Sequence, residues 1–64
     1  MLSFSKVFQC DMVPGDCLSV IGWDDEPYLV IMAQEEGFSA SVSLGVESVE
    51  RLIDVLQRFV GEKG

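Results

Sequence analysis

Apolar and polar residues alternate with a period of two in the second half of the chain. Phe38, Ala40, Val42 and Leu44 occupy one row, and Ser39, Ser41 and Ser43 occupy the other. This alternation is typical of an antiparallel strand with one buried face and one solvated face. Three further β-rich runs precede it, so the sequence predicts strands over residues 2–9, 17–23, 28–33 and 38–43.

Short polar segments that contain Pro or Gly separate these runs. The segment Val13-Pro14-Gly15-Asp16 has Pro where φ must be near −65° and Gly where φ can be positive, which is the signature of a type II turn. Residues 24–27 and 34–37 supply the other two breaks. Tight turns between consecutive strands predict an antiparallel meander. Lys6 interrupts the apolar pattern of the first strand, which indicates a β-bulge near that residue.

After Leu44 the period changes from two residues to 3.6. The apolar residues then fall at steps of three and four and form one stripe, called the helix stripe here: Val46, Val49, Leu52, Ile53, Leu56, Phe59 and Val60. This pattern predicts an amphipathic helix over residues 46–60, with Gly45 as its N-cap and Gly61 as its stop. Two i, i+4 ion pairs are expected on the polar side, Glu47 with Arg51 and Asp54 with Arg58.

The order of these elements predicts one α+β domain over residues 1–64. Its architecture is a small antiparallel β-meander of three to four strands with one C-terminal amphipathic helix packed on one face. A helix of this length matches the length of a strand, so it can lie back across the sheet. We expect it to bury the apolar row of the fourth strand against five residues of the helix stripe: Val49, Leu52, Ile53, Leu56 and Phe59.

One helix covers one face of a sheet, and the third strand is apolar on both sides. Some apolar side chains should therefore remain uncovered, and we single out Trp23, Leu29 and Ile31 as an apolar interface. Such a face favours a twofold homodimer. Two alternatives stay open: a curled, barrel-like sheet could enclose both rows in one core, and Trp23 could belong to the core or anchor an interface.

Charge determines which partners the surface suits. Four Lys and Arg stand against eleven Asp and Glu, and the chain has no His, so its formal net charge is −7. This argues against direct binding of nucleic acid or of an acidic lipid surface. A meander brings the acids to its two ends: Asp24, Asp25, Glu26, Glu47 and Glu50 to one end, and Asp11, Asp16, Glu35 and Glu36 to the other. The acids serve either solubility or recognition of a basic protein.

The sequence predicts a protein that is not an enzyme and that binds no cofactor and no metal. It lacks an imidazole base and a Gly-rich phosphate loop, and the acids beside Cys10 and Cys17 disfavour a reactive thiolate. We expect an inhibitor or adaptor that binds a basic, nucleic-acid-handling protein by presenting carboxylates in place of phosphates. In size, charge sign and lack of catalytic groups the chain resembles phage-encoded anti-CRISPR proteins and restriction inhibitors. The alternative is a homodimeric structural or assembly protein that uses an apolar sheet face.

The N-terminus and the two cysteines indicate a compartment. Residues 1–6 do not have the pattern of a signal peptide, and no window approaches the length of a membrane span, so we expect a soluble cytoplasmic protein. Cys10 and Cys17 could face each other across a hairpin, but a reducing cytosol argues against a disulfide. We expect them to be small side chains in or near a core.

Overall fold

The computed structural model describes residues 3–64, which form a four-stranded antiparallel sheet followed by one helix. The strands are β1 (Ser3–Gln9), β2 (Cys17–Trp23), β3 (Tyr28–Glu35) and β4 (Phe38–Gly45), and the helix is α1 (Val46–Lys63). Their order in the sheet is β1-β2-β3-β4, so each strand pairs with its neighbour in sequence. The predicted α+β meander with a C-terminal helix is confirmed. The predicted start of the first strand at Leu2 lies outside the described residues.

Glycine determines the backbone of two turns. Gly15 has φ 93°, and the amide of Asp16 donates a hydrogen bond to the carbonyl of Val13 at 3.3 Å, so the predicted turn is present with its positive φ. Gly37 has φ 78° in the turn between β3 and β4. A side chain at Gly15 or Gly37 would meet no atom within 4 Å, so the conformation of the backbone, rather than crowding, favours glycine here.

The helix extends beyond its predicted end. Gly61 lies inside α1, and the amide of Gly64 donates to the carbonyl of Val60 at 2.7 Å, so the prediction that Gly61 ends the helix is wrong. A glycine in a helix interior costs only about 1 kcal/mol relative to alanine, which the surrounding turns can offset. Among residues 3–64 no helix is both long enough and apolar enough to cross a membrane.

One of the two predicted ion pairs is present. Glu47 and Arg51 lie 2.8 Å apart, as predicted, whereas Arg58 pairs with Glu62 at 3.2 Å and not with Asp54. Extending the helix beyond Gly61 places Glu62 one turn after Arg58, which makes this alternative available. Both pairs are largely exposed, so each contributes little to stability.

Alanine at two of these glycines is expected to change stability in opposite directions. Gly37→Ala should lower the free energy of unfolding by about 1 kcal/mol, because it forces a β-carbon into the left-handed region. Gly61→Ala should raise it by up to about 1 kcal/mol, because alanine is the better helix former. Urea denaturation followed by circular dichroism measures both. Equal effects of the two substitutions would contradict the conformations described here.

The strand register assigns every strand residue to one of two faces. Pairs such as Val20 with Ile31 and Ile31 with Val42 lie on the same face because they are directly opposite. The apolar face, as we call it, comprises Phe4, Lys6, Phe8, Leu18, Val20, Gly22, Leu29, Ile31, Ala33, Glu35, Phe38, Ala40, Val42 and Leu44. The opposite, serine-rich face carries Ser5, Ser19, Ser39, Ser41 and Ser43 together with Val7, Ile21, Trp23, Val30 and Met32.

The first strand is regular. Its register runs without interruption from the pair Ser3 with Trp23 to the pair Gln9 with Cys17, so the predicted bulge at Lys6 is wrong. Lys6 lies on the apolar face, directly opposite Val20, on an edge strand. A charged side chain on an edge strand hinders pairing with a strand of another chain, which gives Lys6 a structural reason for its place in the pattern.

No loop separates the helix from the sheet. Strand β4 ends at Gly45 and α1 begins at Val46, and Gly45, with φ −75° and ψ 176°, passes from extended to helical backbone with no loop residue between. Within residues 3–64 the helix contacts β3 and β4 but neither β1 nor β2. Val49 and Leu52 are half-buried, so the predicted packing of the helix on the sheet is confirmed near its start, whereas Leu56 and Phe59 remain 53% and 62% exposed and that part of the prediction is wrong.

Both faces of the sheet therefore remain largely uncovered. None of the hydrophobic side chains in the described part of the chain is buried, which also excludes the barrel-like core considered above. The Cα radius of gyration is 13.2 Å, whereas a compact domain of this length has about 11 Å. The Cα atoms span 34 × 33 × 17 Å, the dimensions of a flat sheet with a helix extending from it.

Candidate protein-binding site

An apolar groove lies at the end of the sheet where α1 begins, and we call it the helix-end groove. Its volume is about 350 Å³. Strand residues and the first two turns of the helix line it: Phe4, Gly22, Trp23, Leu29, Leu44, Val46, Val49 and Ile53, with Glu26, Pro27, Tyr28 and Glu50. The ring of Phe4 lies over Gly22, in the space that a side chain at that position would occupy. The glycine thus lets an aromatic ring form one wall of the groove.

Five acidic residues belong to this end of the molecule. The turn between β2 and β3 carries Asp24, Asp25 and Glu26, and the first helical turns carry Glu47 and Glu50. All five are exposed, and two of them, Glu26 and Glu50, line the groove itself. Glu47 is paired with Arg51, which offsets part of the negative charge. The structure therefore places carboxylates beside an apolar surface, an arrangement that suits an apolar side chain flanked by cations.

The opposite end of the sheet carries the four acidic residues that were predicted to lie there. A second groove of about 360 Å³ is lined by Asp11, Asp16 and Glu35, and Glu36 lies in the adjacent turn. Asp16 is half-buried and the other three are exposed. The meander therefore separates the nine predicted acids into the two groups that its turns imply. The lining of this second groove is more polar than that of the helix-end groove, so it offers less apolar surface to a partner.

The two cysteines lie at this second end as thiols. Within the described residues neither forms a disulfide. The sulfur of Cys10 accepts hydrogen bonds from the amides of Met12 and Val13 at 3.4 and 3.2 Å, and the thiol of Cys17 donates to Oε1 of Gln34 at 3.1 Å. Cys10 is exposed, so the prediction that it packs in or near a core is wrong, whereas Cys17 is half-buried.

Thiol labelling should distinguish the two cysteines. We expect a water-soluble thiol reagent to modify Cys10 faster than Cys17, because Cys10 is exposed and Cys17 is shielded between strands. Mass spectrometry of digested protein after timed labelling measures the two rates, and Cys10→Ser and Cys17→Ser variants assign them. Faster modification of Cys17 would contradict the placement described here.

The three residues of the predicted apolar interface do not share one face. Leu29 and Ile31 belong to the apolar face, whereas Trp23 belongs to the serine-rich face. Trp23 lies at the end of β2 and is half-buried, and it meets Leu29 around the helix-end groove, which Ile31 does not line. The uncovered apolar surface is therefore larger than predicted: Ile31 is half-buried, and the exposed residues around it include Phe4, Phe38 and Val42.

Sequence reasoning missed two contributions to this surface. Phe4 and Gly22 were not singled out, although an aromatic residue opposite a glycine in a hairpin indicates that the ring can lie over the glycine. The exposed helix stripe was expected to be covered. The signal that could have indicated otherwise is the direct succession of the strand pattern and the helix pattern at Gly45, because connections between strands and helices commonly have about 2 to 6 residues.

The described residues contain no group of three or more His, Cys, Asp or Glu side chains that could hold a metal ion. The site consists of apolar walls, carboxylates and backbone. Comparison of the chain with protein-family models, with curated proteins and with solved structures finds no match.

Proposed function

We propose that this protein is a non-enzymatic binding module, an inhibitor or adaptor, that engages a basic, nucleic-acid-handling protein through its helix-end groove. The five acids of that end, Asp24, Asp25, Glu26, Glu47 and Glu50, present carboxylates where the partner ordinarily binds phosphates. The apolar walls of the groove receive an apolar side chain of the partner. The proposal includes a cytoplasmic location and a function without cofactors.

One observation supports this proposal above the others: the groove combines apolar walls with carboxylates. Glu26 and Glu50 come from different elements, yet they line the same groove as Trp23 and Leu29. Interfaces obtain most of their binding energy from apolar anchors in desolvated pockets, and charges at the rim provide orientation and partner choice. A net charge of −7 steers a basic partner toward the molecule and repels free nucleic acid.

The experiment is affinity capture on immobilised protein, with elution in steps of rising salt and identification of each fraction by mass spectrometry. We expect a basic nucleic-acid-binding protein to elute as salt rises, because screening weakens interactions between exposed charges. Double-stranded DNA or RNA added during capture should compete with the immobilised protein for this partner. A matched control column carries protein in which the five acids are replaced by their amides.

Two results would overturn the proposal. One is a captured protein that survives high salt and is insensitive to nucleic acid, because apolar contact alone would then account for binding. The other is equal capture on the column with the five amides, because the carboxylates would then be dispensable.

A second candidate function is that of a homodimeric structural or assembly protein. It is favoured by the exposure of the apolar face, on which Phe38 and Val42 are 77% and 57% exposed. Under this alternative the acids serve solubility, and the working surface is the sheet. Light scattering at micromolar concentration tests it, and a strictly monomeric particle would exclude self-association.

A further inference from the structure

Within residues 3–64 two apolar surfaces are largely uncovered, the apolar face of the sheet and the helix stripe. Near the helix start, Leu29 and Leu44 meet Val49 and Ile53 around the helix-end groove. Beyond that end, Val42 and Phe38 on the sheet and Leu56 and Phe59 on the helix are each more than half exposed. The chain is 48% hydrophobic, yet none of the hydrophobic residues among positions 3–64 is buried.

The excess of exposed surface has the size of a subunit interface. The accessible surface is 5442 Å². A folded monomer of 7.1 kDa exposes about 4,100 Å² by the scaling of monomeric proteins, so the excess is roughly 1,300 Å². Obligate homodimers bury about 1,000 to 2,500 Å² on each subunit. One further copy of this chain would thus bring the exposed area to the ordinary range.

The helix of the same chain leaves most of its own sheet uncovered. No loop residue lies between Gly45 and Val46, and within residues 3–64 the helix contacts β3 and β4 but neither β1 nor β2. Beyond its first turns, Leu56 and Phe59 remain 53% and 62% exposed. The remaining area of the apolar face is available to another chain.

A second copy supplies a surface of matching dimensions and chemistry. The helix stripe from Val46 to Val60 is about 21 Å long, and a strand of seven or eight residues is about 24 to 27 Å long. Among the described strand residues of the apolar face, the charged ones are Lys6, on the edge strand at the end of the row that contains Val20 and Ile31, and Glu35, at the end of β3. Glu47, Asp54 and Glu62 lie on the other side of the helix and stay in water when the stripe is covered, whereas Glu50 lines the helix-end groove at the margin of the stripe.

We propose that the apolar face is covered by the helix of a second copy, so that two chains exchange helices in a twofold dimer. Each helix packs its stripe across the apolar face of the other chain, beside Val20, Ile31 and Val42. This exchange covers both unpartnered surfaces of both chains with one interface, which is the geometry of a domain-swapped pair. The inference rests on the second candidate function and specifies which surfaces associate.

Disulfide trapping between differently marked chains tests this arrangement. In a background of Cys10→Ser and Cys17→Ser, one chain carries Val42→Cys on the apolar face and the other carries Leu56→Cys on the helix stripe. After mixing and mild oxidation, we expect the mixed disulfide between the two chains as the main cross-linked product in mass spectrometry. The matched control replaces Val42→Cys with Ser41→Cys, which lies one residue away on the serine-rich face and should give little mixed disulfide.

Light scattering of the unmodified protein completes the test. We expect a particle of about 14 kDa, twice the chain mass of 7.1 kDa. A monomer at 100 µM, a concentration about 100 times that of ordinary micromolar affinities, overturns both the exchange and the second candidate function. Two results obtained with a dimer overturn the exchange but not dimerisation itself. One is an equal yield of mixed disulfide from Ser41→Cys and Val42→Cys, and the other is no mixed disulfide from either variant.

Discussion

Val42→Glu is expected to raise the dissociation constant of the proposed dimer at least about 100-fold. Val42 lies on the apolar face of the edge strand β4 and is 57% exposed in the single chain. In one chain alone, therefore, a glutamate there remains hydrated and costs little. Under the helix of a second copy it becomes a buried, unpaired charge, which costs about 3 to 5 kcal/mol, and twofold symmetry places it in the interface twice.

Ser41→Glu is the matched control for this prediction. It adds the same charge at the adjacent residue of the same strand, on the opposite face, where the proposed interface does not reach. Sedimentation equilibrium of the two variants measures the two dissociation constants. Equal values would contradict the assignment of the apolar face as the interface, whatever the oligomeric state of the unmodified chain.

On the helix, a second matched pair tests the same interface. Leu56→Glu and Arg58→Gln each lower the net charge by one unit, but Leu56 belongs to the helix stripe and Arg58 pairs with Glu62 on the polar side. We expect Leu56→Glu to dissociate the dimer and Arg58→Gln to leave it unchanged. An equal loss of dimerisation in both variants would mean that the change in net charge, and not the helix stripe, causes the effect.

The charge reversal Asp24→Lys with Asp25→Lys is expected to abolish capture of the basic partner, with a loss of at least about 100-fold in affinity. Both residues are exposed in the turn beside the helix-end groove, so the reversal replaces attraction by repulsion at the rim without disturbing a packed side chain. The substitutions should leave the unfolding free energy within about 0.5 kcal/mol of the original value.

The control for this reversal lies at the other end of the sheet. Glu35→Lys with Glu36→Lys shifts the net charge from −7 to −3, as the first pair does, but acts beside the second groove. Binding measured against the captured partner should fall for the first pair and persist for the second. If the second pair abolishes binding instead, the working surface is the opposite acidic end, and if neither pair does, the carboxylates are not the binding determinants.

One salt titration distinguishes binding of a basic partner at the helix-end groove from dimerisation through the apolar face. Binding of a basic partner should weaken as ionic strength rises, because exposed opposite charges are screened. Dimerisation should hold or strengthen, because each chain carries −7 and screening lowers the repulsion between two copies. A dimer that dissociates at high salt would be inconsistent with an apolar interface.

Local patterns were sufficient to predict the elements of this fold. The alternation from Phe38 to Leu44 predicts β4, the change of period after Leu44 predicts α1, and Gly15 marks a turn that the structure contains. These features depend on residues that are neighbours along the chain. Side chains repeat every two residues in a strand and every 3.6 residues in a helix, so the spacing of apolar residues indicates the element directly. The separation of the acids to two ends follows from the same meander.

Long-range packing was harder to predict from the sequence. The sequence of α1 shows that one side of the helix is apolar, but the same stripe would serve a helix folded over its own sheet or over that of another chain. The helix-end groove is likewise a tertiary feature, because Phe4, Leu29 and Val49 meet there from three elements. The wrong prediction for Gly61 has a similar cause, because the continuation of a helix depends on the summed helix propensities of a whole turn rather than on that of one residue.

The sequence by itself determined the four strands, the helix, the meander order and the negative charge at both ends of the sheet, since each follows from periodicity, turn chemistry or composition. Only the tertiary structure decided where the helix goes. Gly45 passes from β4 into α1 without a loop, and within residues 3–64 the helix contacts only β3 and β4. Most of the helix stripe therefore stays exposed, because the periodicity of a helix fixes which side is apolar but not what that side packs against.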